Sequence, residues 1–266
     1  MTSSMIGSMA STPQPGSSAQ ADSSVDGSSP VGGSADGRSA DGRSAAAASR
    51  SVSLFDALRA DAVPDAAALR EVYEMPGEAA RHKQVDRIHE VTKRLIASSS
   101  FVLVASTGAD GSCDVSPRGG PAGFVSVLDE HTLAIPDATG NKRLDTLQNI
   151  VATGQAGLLF LFPGHTNILR VNGRACVSTD PLLLEQLTAV GKPPRSAIVV
   201  HVEEVYGHCP KSVLRGSLWQ PEKWLPKDAA PSTAEVTLSH LSTSLDGLTV
   251  EMIQQAERDS LEHRYE

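Results

Sequence analysis

The period of the apolar positions changes along this chain. In "AARHKQVDRIHEVTKRLIASS", starting at residue 79, Val85, Ile88, Val91 and Leu95 return every three or four residues, the spacing of one face of a longer helix. Arg81, Lys83, Arg87 and Lys93 fall on its solvated side. Upstream, "SLFDALRADAVPDAAALREVY" reads as two short helical pieces separated near Pro64.

Beyond residue 100 the pattern becomes that of short strands bounded by turn residues. They are "FVLVAST" (101–107), "GFVSVL" (123–128), "TLAIP" (132–136), "GLLFLF" (157–162), "NILRVNGRACVS" (167–178) and "SAIVVHVEEVYG" (196–207). In the fifth, Leu169, Val171, Gly173, Ala175 and Val177 face one way, while Arg170, Asn172, Arg174 and Ser178 face the other. Turns such as "GADGS" and "LDEH" leave only a few residues between neighbouring strands, which favours an antiparallel meander over βαβ units.

Two helices interrupt the strands. One is expected to start near Asn141, with Leu144, Leu147 and Val151 on its inner stripe and Gly154 as its stop. The other has Asp180 as cap, Pro181 in the first turn and Gly191 at its end. A loop-rich stretch from about 208 leads to a polar helix around Val250, Ile253, Ala256 and Leu261. Six strands with few helices predict a mainly β, α+β domain closed or nearly closed into a barrel.

Composition narrows the folded part. Residues 1–50 are rich in Ser, Gly and Ala, contain the tandem "SADGRSADGR", and have no aromatic residue before Phe55. Such a stretch cannot bury enough surface to offset the entropy of ordering, so it is expected to be a disordered tail. Four parts follow: the tail 1–50, N-terminal helices packing on the barrel over 51–100, the barrel over 101–225, and a polar helical extension over 226–266.

Charge excludes some functions. The formal net charge is −8, and no basic run marks a nucleic-acid face. The densest apolar stretch, "GLLFLF", is far short of the roughly 18 residues a membrane span needs. Cys113, Cys176 and Cys209 are scattered, without the spacing of a disulfide framework or a zinc site. The first fifty residues lack the pattern of a secretory signal, and a cytoplasmic location is expected.

Two segments hold candidate chemistry. In "DVSPRGGPAGFV" (114–125), Arg118 offers a planar fork for two oxygens of one anion, and Ser116 places a hydroxyl beside it. Gly119 and Gly120 would admit a bulky ligand close to the backbone. In "IPDATGNKRLD" (135–145), a strand end passes through a turn to a helix whose first turn carries Lys142 and Arg143. Unpaired N–H groups and two cations together make a phosphate site. A solvated turn would explain either segment alone. The two strands between them, 123–128 and 132–136, can bring both to one rim, where they would form an anion clamp.

These motifs, with "GLLFLFPGHTNILRVNGRA" and "CPKSVLRGSLW", resemble the FMN-binding proteins related to pyridoxamine 5′-phosphate oxidase, over roughly residues 54–225. The resemblance implies a six-stranded antiparallel split barrel and a homodimer with FMN at the subunit interface. It aligns Asp114, Val115, Ser116 and Arg118 with the segment running beside the flavin and its phosphate. Pro136 and Asp137 would lie near the ring or ribityl chain, and Lys142 and Arg143 match the basic pair that binds phosphate. Lys211, Arg215 and Trp219 fall where relatives complete the site from the partner chain, and Arg174 is a candidate near the pyrimidine end of the ring.

The expected activity is an FMN-dependent oxidoreductase acting on a small molecule. The alternatives are a non-enzymatic flavin or tetrapyrrole module and a true pyridoxamine 5′-phosphate oxidase. The arginine- and histidine-containing signature of the true oxidases is missing from "CPKSVLRGSLWQPEKW" and beyond, which counts against the last. No metal site is expected: His201, His208 and Cys209 fit no common zinc spacing.

Overall fold

The computed structural model describes residues 53–264 apart from 139, 141 and 188–191. The expected tail lies outside those residues, as do Asn141 and Gly191. The chain divides into two units, residues 1–63 and 64–266. The first contributes α1 (Leu54–Arg59), capped by the Ser53 hydroxyl, which accepts from the Asp56 N–H. The second opens with α2 (Ala66–Val72), capped in the same way by Asp65. The break expected near Pro64 falls between these helices.

The longer helix expected from residue 79 is instead two short ones, α3 (Glu78–His82) and α4 (Glu90–Ala97). Between them the chain is drawn out against the sheet. Val85 exchanges both backbone hydrogen bonds with Val205, and the Ile88 N–H donates to the Glu130 carbonyl at 2.7 Å. Val85 and Ile88 are spaced as on a helix, but the edge-on backbone pairing takes the N–H groups a helix would use.

The strands are β1 (Phe101–Thr107), β2 (Cys113–Gly119), β3 (Ser126–Asp129), β4 (Thr132–Pro136), β5 (Gln155–Leu161), β6 (Ile168–Ser178) and β7 (Ala197–Gly207). They form one sheet in the order β2-β1-β5-β6-β7-β4-β3, and every neighbouring pair is antiparallel. The edges β2 and β3 are not paired with each other, so the barrel is split between them. The sheet has seven strands rather than the expected six. The strand missed is β2, whose "CDVSPRG" has no apolar alternation because it lies at an edge with polar residues half-buried. Its ladder is unbroken through Pro117, with Leu103 opposite.

Val102, Val104, Leu158, Phe160, Val171 and Val200 fill the inner face of the sheet at no more than 1% exposure. Each such side chain contributes about 1.5–3 kcal/mol by leaving water. Phe124 and Val125, in the link from β2 to β3, are buried in the same core. One register shift interrupts the β6–β7 ladder, between Asn172 and Gly173. A Cβ at Gly173 would lie 1.9 Å from the His201 carbonyl oxygen, so only glycine fits there.

Helix α5 (Asp145–Thr153) follows β4, and α6 (Pro181–Gln186) follows β6. Leu183 and Leu184 of α6 pack with Leu187 against Ala134 and Ala197, covering the opposite face of β4 and β7. Asp180 caps α6 as expected, its side chain accepting from the Leu183 N–H. After β7 come α7 (Lys211–Arg215), α8 (Thr233–Leu241) and α9 (Val250–Arg264), the last being the expected polar helix. The fold is thus a mainly antiparallel split barrel with flanking helices.

Candidate functional site

The site begins on the inner face of β2. Residues opposite each other in an antiparallel ladder share a face, and Arg118, Ser116 and Asp114 stand opposite Val102, Val104 and Ser106. All three therefore point the way the core points, but from an edge strand, so they line the open side of the barrel. Arg118 Nη1 donates to Ser116 Oγ at 2.6 Å and to the Pro117 carbonyl at 2.9 Å. Val115 alternates to the outer face, where it is 61% exposed.

The second component leaves the end of β4. Pro136 is buried and pairs with Ala197. The Asp137 N–H donates to the Ser196 carbonyl at 2.9 Å, which prolongs the strand by one rung. Burial pushes the half-buried Asp137 carboxyl above its ordinary range, and the charge of Arg118 partly offsets this. Asp137 and Arg118 thus sense each other across the split.

The chain then passes through Lys142 and Leu144, both with φ of 62°. Left-handed backbone is uncommon for non-glycine residues and clusters at ligand clamps. It also delays the helix. α5 begins at Asp145, not near Asn141, so Lys142 and Arg143 lie in the loop before the helix rather than in its first turn. Its buried stripe is Thr146 and Ile150, while Leu144 and Val151 are exposed. Leu144 supplies no side-chain cap, which leaves first-turn N–H groups of α5 uncapped by any side chain. Arg143 is engaged locally, its Nε donating to Asp145 Oδ2 at 2.8 Å.

The helix end of this loop is fastened to β2. Asp137 lies within the field of Arg118, and Thr146 Oγ1 donates to Asp114 Oδ2 at 2.7 Å. Asn149 Nδ2 adds a bond to Ser106 Oγ on β1. The chain that carries Lys142 and Arg143 therefore returns to the β2 face at Asp114, two residues from Ser116 and four from Arg118. Thr146 was not a sequence candidate. Its only signal is position, immediately inside the helix that follows the basic pair.

Other candidates stand elsewhere. Arg174 is on the outer face of β6, where its Nε donates to Glu203 Oε1 at 2.9 Å. Arg174 pairs with Gln155, whereas the rung of Arg118 runs through Phe160 and Leu169. The two arginines are five rungs apart on opposite faces, and one chain does not bring them together. Lys211 and Arg215 lie at the two ends of α7, where Arg215 Nε donates to the Lys211 carbonyl. Trp219 is half-buried just beyond, and no bond among the described residues joins these three to Arg118. The glycines after Arg118 also read differently in three dimensions. A Cβ on Gly120 would meet Phe124 at 2.7 Å, so its bareness serves the core, and one on Gly119 would make only ordinary contact.

The matched family is "Pyridoxamine 5′-phosphate oxidase", over residues 88–209. That stretch contains all seven strands and every residue of the clamp. Over these residues the resemblance expected from the sequence motifs, to the proteins related to pyridoxamine 5′-phosphate oxidase, is borne out. Among solved structures, HupZ of Group A Streptococcus is 20% identical, with 45% of this chain and 93% of that one covered and a TM-score of 0.37. A Clostridium acetobutylicum protein related to general stress protein 26, of the pyridoxinephosphate oxidase family, is 16% identical over 44% and 85%, with a TM-score of 0.34. The FAD binding protein of Mycobacterium smegmatis is 14% identical over 47% and 97%, with a TM-score of 0.31. No curated protein matches the sequence. Among the described residues, no helix is long and apolar enough to cross a membrane.

Proposed function

We propose that the chain is an FMN-dependent oxidoreductase acting on a small molecule, with the FMN phosphate held by Arg118, Ser116, Lys142, Arg143 and the first turn of α5. The observation that carries this reading is the bond that ties the first turn of α5 to Asp114, on the β2 face that also carries Ser116 and Arg118. The donor set suits a dianion: a guanidinium fork, a hydroxyl, two further cations and helix N–H groups without a side-chain cap.

When bound, FMN supplies the two-electron chemistry. The chain's part is to bind and orient it. In this reading Arg118 turns its fork from the Pro117 carbonyl to phosphate oxygens, and Ser116 stays beside it. Asp137, half-buried at the end of β4, accepts a hydrogen bond from the ribityl or ring region. Val115 and Asp114 border the cofactor along β2, with Asp114 kept in place by Thr146. Arg174, Lys211, Arg215 and Trp219 enter only through a second copy of the chain.

A homodimer formed through the outer face of β1, β2 and β5 is part of the proposal. That face presents the exposed Val115 and Ala105 beside the half-buried Leu103 and Leu159, an apolar strip. In this reading residues 101–225 form the cofactor unit, with 51–100 and 226–266 as its helical additions. A reducing, cytoplasmic setting agrees with the three free, exposed cysteines.

Fluorescence titration of the purified chain with FMN tests the site. Parent protein should bind and quench FMN, and Arg118→Ala should bind it more weakly. Equal affinity in both would remove the clamp. An NADPH- or dithionite-bleached spectrum that oxygen restores, with turnover on an added substrate, supports the enzyme. Bound flavin without turnover would leave a binding module, and a deazaflavin in the extracted chromophore would replace FMN.

A further inference from the structure

A second set of cations lies on the outer face of the sheet, away from the clamp. Arg170 and Tyr206 are opposite each other in the β6–β7 ladder, on the rung that runs through Leu159 and Leu103 to Pro117. Pro117 alternates with Arg118, so this rung faces outward where Arg118 faces inward. Arg170 Nη1 donates to the Tyr206 hydroxyl at 3.0 Å, and its guanidinium carbon lies 5.7 Å from the centre of that ring. Lys83, in the drawn-out stretch after α3, places its Nζ 5.3 Å from the same ring centre and donates to the Gly207 carbonyl at 2.8 Å. The His208 ring packs on Tyr206 at 5.3 Å.

Two like charges over one ring repel each other, and neither has an ion-pair partner among the described residues. Glu204, two residues along β7, does not serve them. Its two oxygens accept instead from Gln84 Nε2 and Asn172 Nδ2, each at 2.9 Å. Because the Tyr206 oxygen accepts from Arg170, its own hydrogen remains to be donated. Arg170 and Lys83 also keep N–H groups without a partner. His208 Nε2 is closed off from solvent with no hydrogen-bond partner. Burial, followed by the nearby Arg170 and Lys83 charges, holds this imidazole below its ordinary range and so favours its neutral form. The cluster is rich in donors and poor in acceptors, which is the character of an oxyanion site.

We infer that Arg170, Tyr206 and Lys83 form a second anion site, separate from the clamp, that receives the carboxylate or phosphate of a small ligand beside His208. The ligand's charge would neutralise the two cations, and its oxygens would take the Tyr206 hydrogen and the spare guanidinium N–H groups. This inference does not depend on FMN.

The test is an NMR titration of the full chain carrying ¹³C at histidine Cε1, with the His208 signal assigned from His208→Gln. Inorganic phosphate and benzoate are added separately at constant chloride. A saturable shift of His208 is expected with at least one of them. Arg170→Gln should weaken it about tenfold, the effect of losing one charged hydrogen bond. Lys83→Gln, at an exposed position that does not threaten folding, should weaken it about threefold. Arg118→Ala should leave it unchanged. Response to phosphate alone assigns phosphate esters, and response to benzoate alone assigns carboxylates. A His208 signal that ignores both anions, or a shift unaltered in Lys83→Gln and Arg170→Gln, or one abolished by Arg118→Ala, overturns the inference.

Discussion

Thr146 and Asp114 are joined by a 2.7 Å hydrogen bond from the threonine hydroxyl to the carboxylate, which ties the first turn of α5 to edge strand β2. Thr146 is 3% exposed, so this contact lies at the margin of the core and not in solvent. It fixes where the loop carrying Lys142 and Arg143 must return. Thr146→Val keeps the shape and removes the donor. The cost should be about 1.5–3 kcal/mol of stability, the range for a hydrogen bond to a charged acceptor, read as a lower urea midpoint. FMN affinity should fall in parallel, because the loop loses its fastening to β2.

Arg118→Ala should weaken FMN binding by about 1.5–3 kcal/mol, roughly 10- to 150-fold, the range for charged hydrogen bonds. Arg143→Ala should cost less, about 1 kcal/mol, because Arg143 is largely exposed and shared with Asp145. Titration by flavin fluorescence gives both numbers. FMN-dependent thermal stabilisation should shrink in the same order.

Asp137 gives a pH signature. Its carboxyl is raised by burial, so the folded state holds this proton more tightly than the unfolded chain does. Stability must then fall as pH rises from the unfolded value, near 4, through the folded one. Asp137→Asn removes that contribution. The variant should gain stability relative to the parent between pH 4 and neutrality, and the two should converge in more acid solution. Urea unfolding at several pH values measures this, and a constant difference would contradict it.

Val115→Glu places a charge on the outer strip without touching the inner face. In sedimentation velocity at micromolar concentration it should shift the chain from dimer toward monomer, by roughly tenfold or more in dissociation constant. A parent protein that sediments as a monomer would remove the dimer from the proposal.

Gly173→Ala puts a methyl group where only 1.9 Å separates it from the His201 carbonyl oxygen. The bulge would have to move, at a cost of about 3 kcal/mol, near the top of the range for overpacking. Thermal unfolding without FMN isolates this effect from cofactor binding.

Much of the barrel was legible because β1, β5, β6 and β7 carry apolar residues on every second position of a fully covered inner face. Strand β2 was not. Its inward side chains are Asp114, Ser116 and Arg118, so the residues that make it a candidate site also erase its strand pattern. The helix start failed for a related reason: left-handed backbone at Lys142 and Leu144 leaves no mark in hydropathy. Val85 and Ile88 mimicked a helical face because two extended residues on either side of a kink can be spaced like one helical turn. The sequence motifs pointed to the two basic segments, but not to the Asp114–Thr146 bond beside them. Nor did it point to Tyr206 as the surface on which Arg170, Lys83 and His208 gather.

Pro117 leaves one further mark. A proline holds its place in an unbroken ladder only where its nitrogen turns away from the neighbouring strand, so the free border of β2 lacks a hydrogen at its midpoint. A foreign strand cannot zip along that border, although both margins of the split are open. Growth of the sheet from molecule to molecule is hindered along β2, beside the cleft.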